Sequence, residues 1–268
     1  MKRFWVQLKL SLGFTDFRNA DLSGLNFSDL DLRGCRFQGA NLRGAVLKGA
    51  NLARADFAGA NLLAADLRGA QLSEADFARA NLQQTDLSGA DLQNADLRGQ
   101  NLKGVRLFGA RLSGANLSDS RLSNADLRRA NLSEACLWNA RLDGANLLQA
   151  DLSHASMDGA NLQGANMNRT NLQGTALCEA NLQQVSLWDA EFEQTKLGGA
   201  KLDGVRVDIT QLPSRIAAKF RAAREVAEQQ EVAQGRAEQR NVSQEQAARK
   251  GPVRRGKANG RSANGHSR

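Results

Sequence analysis

The sequence predicts an all-β solenoid, a chain wound into short straight sides joined by turns, followed by an α-helix and a basic segment. Three observations predict it. From Phe17 to Leu212 every fifth residue is apolar, forty consecutive positions held by 31 Leu, six Phe (Phe17, Phe27, Phe37, Phe57, Phe77 and Phe192), Met157, Met167 and Val207. Two residues before most of these stands a small side chain, as at Ala40, Ala45, Ala50, Ala55 and Ala60. Two residues after many of them stands Gly, as at Gly34, Gly39, Gly44 and Gly49.

A stride of five suits neither regular element. On an α-helix five residues advance about 140°, so the leucines would wind around the whole surface. On a flat strand an odd step sends every second leucine to the opposite face. The leucines stay together only if the chain turns once per repeat, with the large and the small residue pointing inward, the other three outward, and Gly easing the turn. Each buried Leu or Phe then contributes roughly 2 kcal/mol gross, before the entropy of ordering is subtracted. One Leu→Asp substitution in the middle, such as Leu132→Asp, is expected to break the stack, read as loss of the cooperative melting transition.

These residues resemble the pentapeptide-repeat family, whose consensus is A(D/N)LXX; here it reads Ala60-Asn61-Leu62-Leu63-Ala64 and Ala65-Asp66-Leu67-Arg68-Gly69. The resemblance covers residues 15–212. It implies a right-handed quadrilateral β-helix with four pentapeptides per coil, hence about ten coils stacked into a rod on the order of 45 to 50 Å long at the usual strand spacing. The small inward position departs from Ala at Cys35, Thr85, Gln100, Val105, Ser120 and Val185. Gln100 is the one large polar residue among these and requires an internal hydrogen-bond partner.

An open solenoid exposes unpaired backbone and an apolar cross-section at each end, so caps are expected. Residues 1–14 are assigned the first. At the other end Pro213 stops the repeat, and Ile216, Phe220, Ala223 and Val226 recur at helical spacing behind Ser214 as N-cap, giving a helix over 213–234 that ends before Gly235. This helix either caps the last coil or pairs two protomers end to end, as the resemblance suggests. Residues 235–268 read as a polar to basic disordered tail. Its final part carries Arg249, Lys250, Arg254, Arg255, Lys257, Arg261 and Arg268 with no acid, a composition that either solubilises or tethers a polyanion such as nucleic acid weakly, without aromatic residues for base stacking.

The formal net charge of +8 resides in the ends. Residues 11–210 hold 20 Lys/Arg and 23 Asp/Glu, a nearly neutral body. Cys35, Cys136 and Cys178 have no metal-ligand spacing and leave at least one thiol unpaired, which suits a reducing compartment. Lys9 interrupts the first apolar run, and no stretch reaches the ~20 apolar residues of a membrane span. A cytoplasmic protein without a membrane partner is the expectation, and the N-terminus shows nothing decisive for export as an effector.

Catalytic chemistry finds no support in the residues. There is no Gly-rich phosphate loop and no paired-His or CxxC metal motif, so no catalytic residue, metal ligand or cofactor is assigned. Asp151, Ser153 and His154 project from one side, yet they occupy adjacent positions on a flat wall with no pocket or oxyanion site. Cys136 and Cys178 face one side two coils apart, about 10 Å by the strand spacing and too far for a disulfide. Asp56, Asp76 and Asp96 form a carboxylate column with Arg79 and Arg98 beside it, which points to local neutralisation and no metal site.

Folding the sequence at twenty residues places Phe108, Leu148 and Trp188 in one outward column, separated by Arg128 and Asn168, with Arg106, Arg129 and Arg169 on the same face. Scattered exposed apolar residues are common, but aromatic and Arg side chains in register match the composition of protein-binding hot spots. The function expected is a non-catalytic scaffold that presents flat faces to a protein partner. The resemblance also implies a second reading, protection of DNA gyrase or topoisomerase by imitation of duplex DNA, against which the near-neutral body and its central arginines stand. A third reading is nucleic-acid association through the basic tail.

Overall fold

The computed structural model of the chain describes residues 13–249. It comprises two units, one ending at Arg224 and one beginning at Glu225. The N-terminal cap assigned to residues 1–14 therefore lies outside the described residues except for Gly13 and Phe14.

Each pentapeptide of the first unit repeats one conformation. A bridging residue, usually Asn or Asp, leads into the inward Leu; a two-residue turn follows, then the inward Ala. The turn is closed by the Ala N–H donating to the Leu carbonyl three residues back, as from Ala40 to Phe37 at 2.9 Å. Its second residue has positive φ in every repeat from Asn19 to Gly204. Gly eases this conformation, and at a few turns it also leaves room for the next coil, since a Cβ on Gly39 would collide with Asn19 Oδ1, whereas Gly24 and Gly34 face open space. Twenty of the positive-φ residues are nevertheless not Gly, Arg54 and Ala64 among them.

Parallel bridges join each residue i to i+20, as Asp21 to Asn41 and Asn41 to Asn61. Four pentapeptides therefore make one coil, and the outward residues stack into four walls. Wall 1 runs through Asp16, Arg36 and Asp56; wall 2 through Asp21, Asn41 and Asn61; wall 3 through Asn26, Val46 and Asp66; wall 4 through Asp31, Asn51 and Gln71. The sides are too short to form extended strands: among the described residues each contributes single bridges, reinforced by inward N–H groups such as Leu42 donating to Asn61 O at 2.7 Å.

Inside, the fifth-residue side chains stack in columns, with Phe17, Phe37, Phe57 and Phe77 ring on ring at 5.1 to 5.4 Å. The polar corner residues find partners along the axis. The hydroxyls of Thr85, Thr175 and Thr195 donate to the carbonyls of Leu62, Leu152 and Leu172 at 3.0, 2.7 and 2.8 Å. Gln100 donates its amide to Phe77 O, the internal partner its position requires. The Ser120 hydroxyl is buried without one.

One step of the ladder is missing. Bridges are continuous on every wall between Asp16 and Arg206 except between Asn81 and Asn101 on wall 2. There, among the described residues, the N–H groups of Leu82, Gln84 and Asn101 reach no backbone carbonyl, and neither do those of Arg79 on wall 1 and Arg106 on wall 3 beside the gap. Thr85, Gln100 and Val105 flank these two sides where Ala is the rule; since Thr170, Thr175 and Thr195 leave the Asn171–Glu191 bridge intact, the long Gln100 side chain is the feature that sets this step apart.

The structure corrects the sequence at the C-terminal end. The repeat closes at Val207, not Leu212, because the Asp208 carboxylate accepts from Thr210 N at 2.9 Å and starts a 3-10 turn over Ile209–Gln211. Helix α1 spans Ser214–Arg249, fifteen residues beyond the expected end at Gln234. The cost of Gly235, about 1 kcal/mol in a helix interior, is met by the strong helix formers Glu, Gln, Ala and Arg around it. Residues 235–249, expected in the disordered tail, are thus helical. Pro213, not Ser214, occupies the position before the first helical residue, and its carbonyl accepts from Ile216 and Ala217 N at 2.8 and 2.9 Å. Ile216 and Phe220 are buried, Phe220 meets Phe192 edge to face at 5.9 Å, and Ala223 packs partly on the same core. Lys219 and Arg224 donate to the carbonyls of Leu197 and Val207 at 3.0 and 3.2 Å. Val226 departs from this pattern: in the second unit it is 51 % exposed.

Replacing Gln100 by Ala should let Asn101 pair with Asn81. Two or so recovered hydrogen bonds, each contributing roughly 1 kcal/mol net, should raise Tm by about 2–4 °C per kcal/mol and slow amide exchange at Leu82 and Asn101. Unchanged melting and exchange would refute the corner argument.

Candidate functional site: an aromatic and arginine strip

One local device recurs along wall 3 wherever Asp or Asn bridges, and is missing at Val46, Arg106, Ser186 and Arg206. The Asp or Asn at the bridging position turns its side-chain oxygen back onto the N–H two residues on, an Asx-turn that fixes the outward side chain. Where that next residue is Arg, its guanidinium returns to the same carboxylate. Arg128 donates through its backbone N–H at 3.3 Å, Nε at 2.7 Å and Nη2 at 2.6 Å to Asp126. Arg68 with Asp66 on the same wall, and Arg98 with Asp96 on wall 1, repeat the arrangement. These guanidiniums hold Asp66, Asp96 and Asp126 below their ordinary pKa of 3.8. On wall 1 the Arg18 guanidinium lowers Asp16 to about 2.

The predicted strip lies on this wall. Phe108 is 39 % exposed, with the guanidinium carbons of Arg128 and Arg129 at 5.5 and 5.9 Å from its ring centroid. At an exposed site each such contact is worth roughly 0.5–1 kcal/mol. Arg129 also donates Nε to Gln149 Oε1 at 3.0 Å. Arg106 and Arg169 are drawn aside, to Asp86 at 3.8 Å and Asp189 at 3.4 Å. Leu148 is half-buried one coil above Arg128. Asn168 accepts from Ser186 Oγ at 2.7 Å and from Trp188 N at 2.9 Å, fixing the backbone that carries Trp188, which is 48 % exposed. The structure thus joins Phe108, Arg128 and Arg129 in contact and sets Leu148 and Trp188 farther up the column.

Sequence reasoning missed Trp138, which is 54 % exposed on the opposite wall and donates its indole N–H to Ser156 Oγ. The twenty-residue register that exposed Trp188 also marks Trp138 as outward, but its column neighbours Ser118, Asp158 and Cys178 are not aromatic.

The other candidates separate. Asp151 Oδ1 accepts from Ser153 N at 2.9 Å, while His154 sits in the left-handed turn position over Gly174; among the described residues no hydrogen bond joins the Ser153 hydroxyl to the His154 ring. Cys35, Cys136 and Cys178 are free thiols, and burial pushes Cys35 up to about 11. Asp56, Asp76 and Asp96 do form one column. Arg98 neutralises Asp96, whereas Arg79 makes no ion pair among the described residues, a correction to the neutralisation expected of it. Among the described residues no group of carboxylate, His or Cys side chains is arranged to hold a metal, and no helix is long and apolar enough to cross a membrane. Of the basic tail only Arg249, the last residue of α1, is described; Lys250, Arg254, Arg255, Lys257, Arg261 and Arg268 lie outside the described residues.

A side of five residues, four sides to the coil and an Asx-turn wherever Asp or Asn holds the bridging position define a pentapeptide solenoid. Models of that family match along the coils: the pentapeptide repeat region over residues 14–87 and eight-copy pentapeptide repeats over 70–109, 110–147, 138–174 and 170–207. The chain belongs to the pentapeptide-repeat family. Among solved structures it is similar to HetL, involved in heterocyst differentiation regulation in the cyanobacterium Nostoc sp. strain PCC 7120, with 32% identity over 75% of this chain and 94% of that one and a TM-score of 0.46. It is also similar to full-length QnrB1, a plasmid-mediated fluoroquinolone resistance protein, with 19% identity over 75% and 95% and a TM-score of 0.44. A third is the Nostoc protein alr5209, with 39% identity over 35% and 77% and a TM-score of 0.20. No curated protein sequence matches the chain.

The paired carboxylates predict an acid dependence. Their folded pKa lies below the unfolded value, so the stability they contribute is complete above pH of about 4 and is lost as pH falls through the folded pKa. Exposed pairs are worth roughly 0–1 kcal/mol each. The triple variant Arg68→Gln, Arg98→Gln, Arg128→Gln should therefore melt slightly lower at neutral pH, with a shallower fall in Tm below about pH 4. Parallel curves for the two proteins would show that the pairs contribute nothing.

Proposed function

We propose that the protein is a non-catalytic scaffold of the cytoplasm that grips a protein partner along wall 3, with the strip from Phe108 to Trp188 as the contact. The observation that carries this reading is the outward Phe108 ring with Arg128 and Arg129 of the next coil over it, in a unit whose inward apolar residues are buried. The ring is rigid and its cations are already placed, so little ordering entropy is lost on binding. Arg and Trp are the side chains that dominate interface energetics. The matched families describe a repeat, and the walls offer flat surface instead of a pocket with convergent acids, bases and nucleophiles.

A DNA-mimic reading, with gyrase or a topoisomerase as partner, draws on Asp56 and Asp76, outward carboxylates with no ion pair among the described residues. The Asp–Arg pairing of walls 1 and 3 works against it, because it leaves little field to imitate duplex DNA. Pairing of two copies through α1 and a weak nucleic-acid tether through the tail belong to the same proposal as additions to the scaffold.

The test is affinity capture from native lysate with the double variant Phe108→Ser, Trp188→Ser. Phe108→Ser gives up at most the two cation–ring contacts, together about 1–2 kcal/mol, so Tm should fall by less than about 8 °C, at about 2–4 °C per kcal/mol, while recovery of the specific partner drops at least tenfold. Undiminished recovery would overturn the reading, and gyrase recovered with both proteins, together with protection in a supercoiling assay, would favour the mimic. Binding carried by the tail would instead collapse steeply with salt.

A further inference from the structure

Wall 1 changes character halfway along the coils. As far as Arg98 its carboxylates alternate with arginines, and Arg18 and Arg98 pair with Asp16 and Asp96 on their own sides. From Asn116 to Glu179, over four coils, its outward positions hold Asp119, Asp158 and Glu179 and not one Lys or Arg. Wall 4 beside it, from Asn131 to Gln194, adds Glu134, Asp151, Glu191 and Glu193, again without Lys or Arg. Among the described residues none of these carboxylates has an ion-pair partner. On the opposite side of the same coils wall 3 holds Arg128, Arg129 and Arg169 against Asp126 and Asp189. A body that is nearly neutral as a whole is therefore acidic on one side here.

Trp138 stands within this stretch of wall 1. It is 54 % exposed, and its indole N–H, donated to Ser156 Oγ, ties the ring to the wall. Asp158 follows it in the same column on the next coil, and Asp119 lies one coil before it and one position along. Asp158 Oδ1 accepts from Cys178 N at 2.8 Å, and its second oxygen has no donor among the described residues. Phe108 has two guanidiniums of its own chain over its ring, whereas among the described residues no cation lies over Trp138.

We propose that this part of wall 1 receives a lysine or arginine side chain presented by a partner protein, with the indole face of Trp138 as its seat and Asp119 and Asp158 as its counter-charges. Indole is the aromatic side chain that attracts a cation most strongly. Ring and carboxylates act on the same charge, so a cation is favoured by both. A neutral apolar group would gain the ring but desolvate the carboxylates without compensation, and an anion would be repelled. The carboxylates of wall 4 extend the field that draws such a segment in. Three carboxylates at uneven intervals suit one or two cationic side chains and lack the close, regular charge of a nucleic-acid backbone. The site is on the wall opposite the Phe108 strip and does not depend on it.

The test is NMR of the full-length protein, following the Trp138 indole N–H, which is assigned by its loss in Trp138→Leu. The probes are acetyl-Gly-Lys-Gly-Arg-Gly-amide, its counterpart with Glu for Lys and Arg, and spermidine. The cationic peptide should shift the Trp138 signal saturably and the acidic one should leave it in place. Followed at the Asp158 backbone amide, Trp138→Leu should weaken cationic-peptide binding by about two- to fivefold, the worth of an exposed cation–ring contact. The pair Asp119→Asn, Asp158→Asn should weaken it by about threefold or more with Tm retained, because Asn keeps the acceptor for Cys178 N and suits the left-handed position of Asp119. The double variant Phe108→Ser, Trp188→Ser should bind the peptide as the parent does. Five outcomes would each overturn the proposal: no shift at Trp138, an equal shift with both peptides, an affinity unchanged in either wall 1 variant, spermidine binding as tightly as the cationic peptide, and a Trp138 signal that moves with the protein's own concentration. The fourth would give the site to a free polyamine, the fifth to a second copy.

Discussion

The coiled unit rests on one backbone residue per pentapeptide held at positive φ. That residue turns the chain by a corner, and every other feature is a consequence: Leu and Ala point in, three residues point out, and the N–H and C=O groups are left aligned along the axis to meet the next coil. For an L-residue the conformation costs roughly 1–2 kcal/mol, and the chain accepts it at twenty non-Gly positions, among them Arg54, Gln84 and Arg169. What offsets it is cooperative. Each turn sets up an inward side chain and an axial hydrogen bond that form only if the neighbouring turns form as well, so the strain is carried by the stack and not by the residue.

The same geometry decides what the surface can do. An outward side chain on a short side has three kinds of neighbour, the residue two along on its own side, the residue twenty along on the next coil, and the diagonal residue eighteen along that Ser186 and Trp138 use. Arg128 uses the first two, paired to Asp126 on its own side and lying over Phe108 from the coil below. Arg68 and Arg98 use the first kind alone. Charge is therefore cancelled locally and recognition passes to the few places where an aromatic or aliphatic residue interrupts the pairing. Trp188 and Trp138, on opposite walls, are two such interruptions.

The solenoid was legible because stride five excludes the alternatives, and the twenty-residue register that the family resemblance implies placed Phe108, Arg128 and Leu148 on one wall. Legibility failed where the deciding contact is not periodic. Leu212 keeps the apolar stride, yet Asp208 captures Thr210 and takes the chain out of the coil before that position is reached. Gly235 reads as a helix stop, but the helix formers on both sides carry α1 through it. Thr85 and Val105 were recognisable as corner substitutions; that they join Gln100 around one pair of sides needs the register of both coils at once. Arg79 stands on the same side as Asp76, three residues on at the left-handed turn position, and makes no ion pair among the described residues.

The unbridged step between Asn81 and Asn101 has a mechanical meaning. The hydrogen bonds between coils lie along the axis, so they are the members that carry tension when the coils are drawn apart. Three walls bear the load at this step and the fourth does not, so tension there acts off centre and bends the column before it stretches it. A solenoid with one such step behaves as two stiff springs in series joined at a compliant elbow, and the elbow, not the deepest core, sets its yield point.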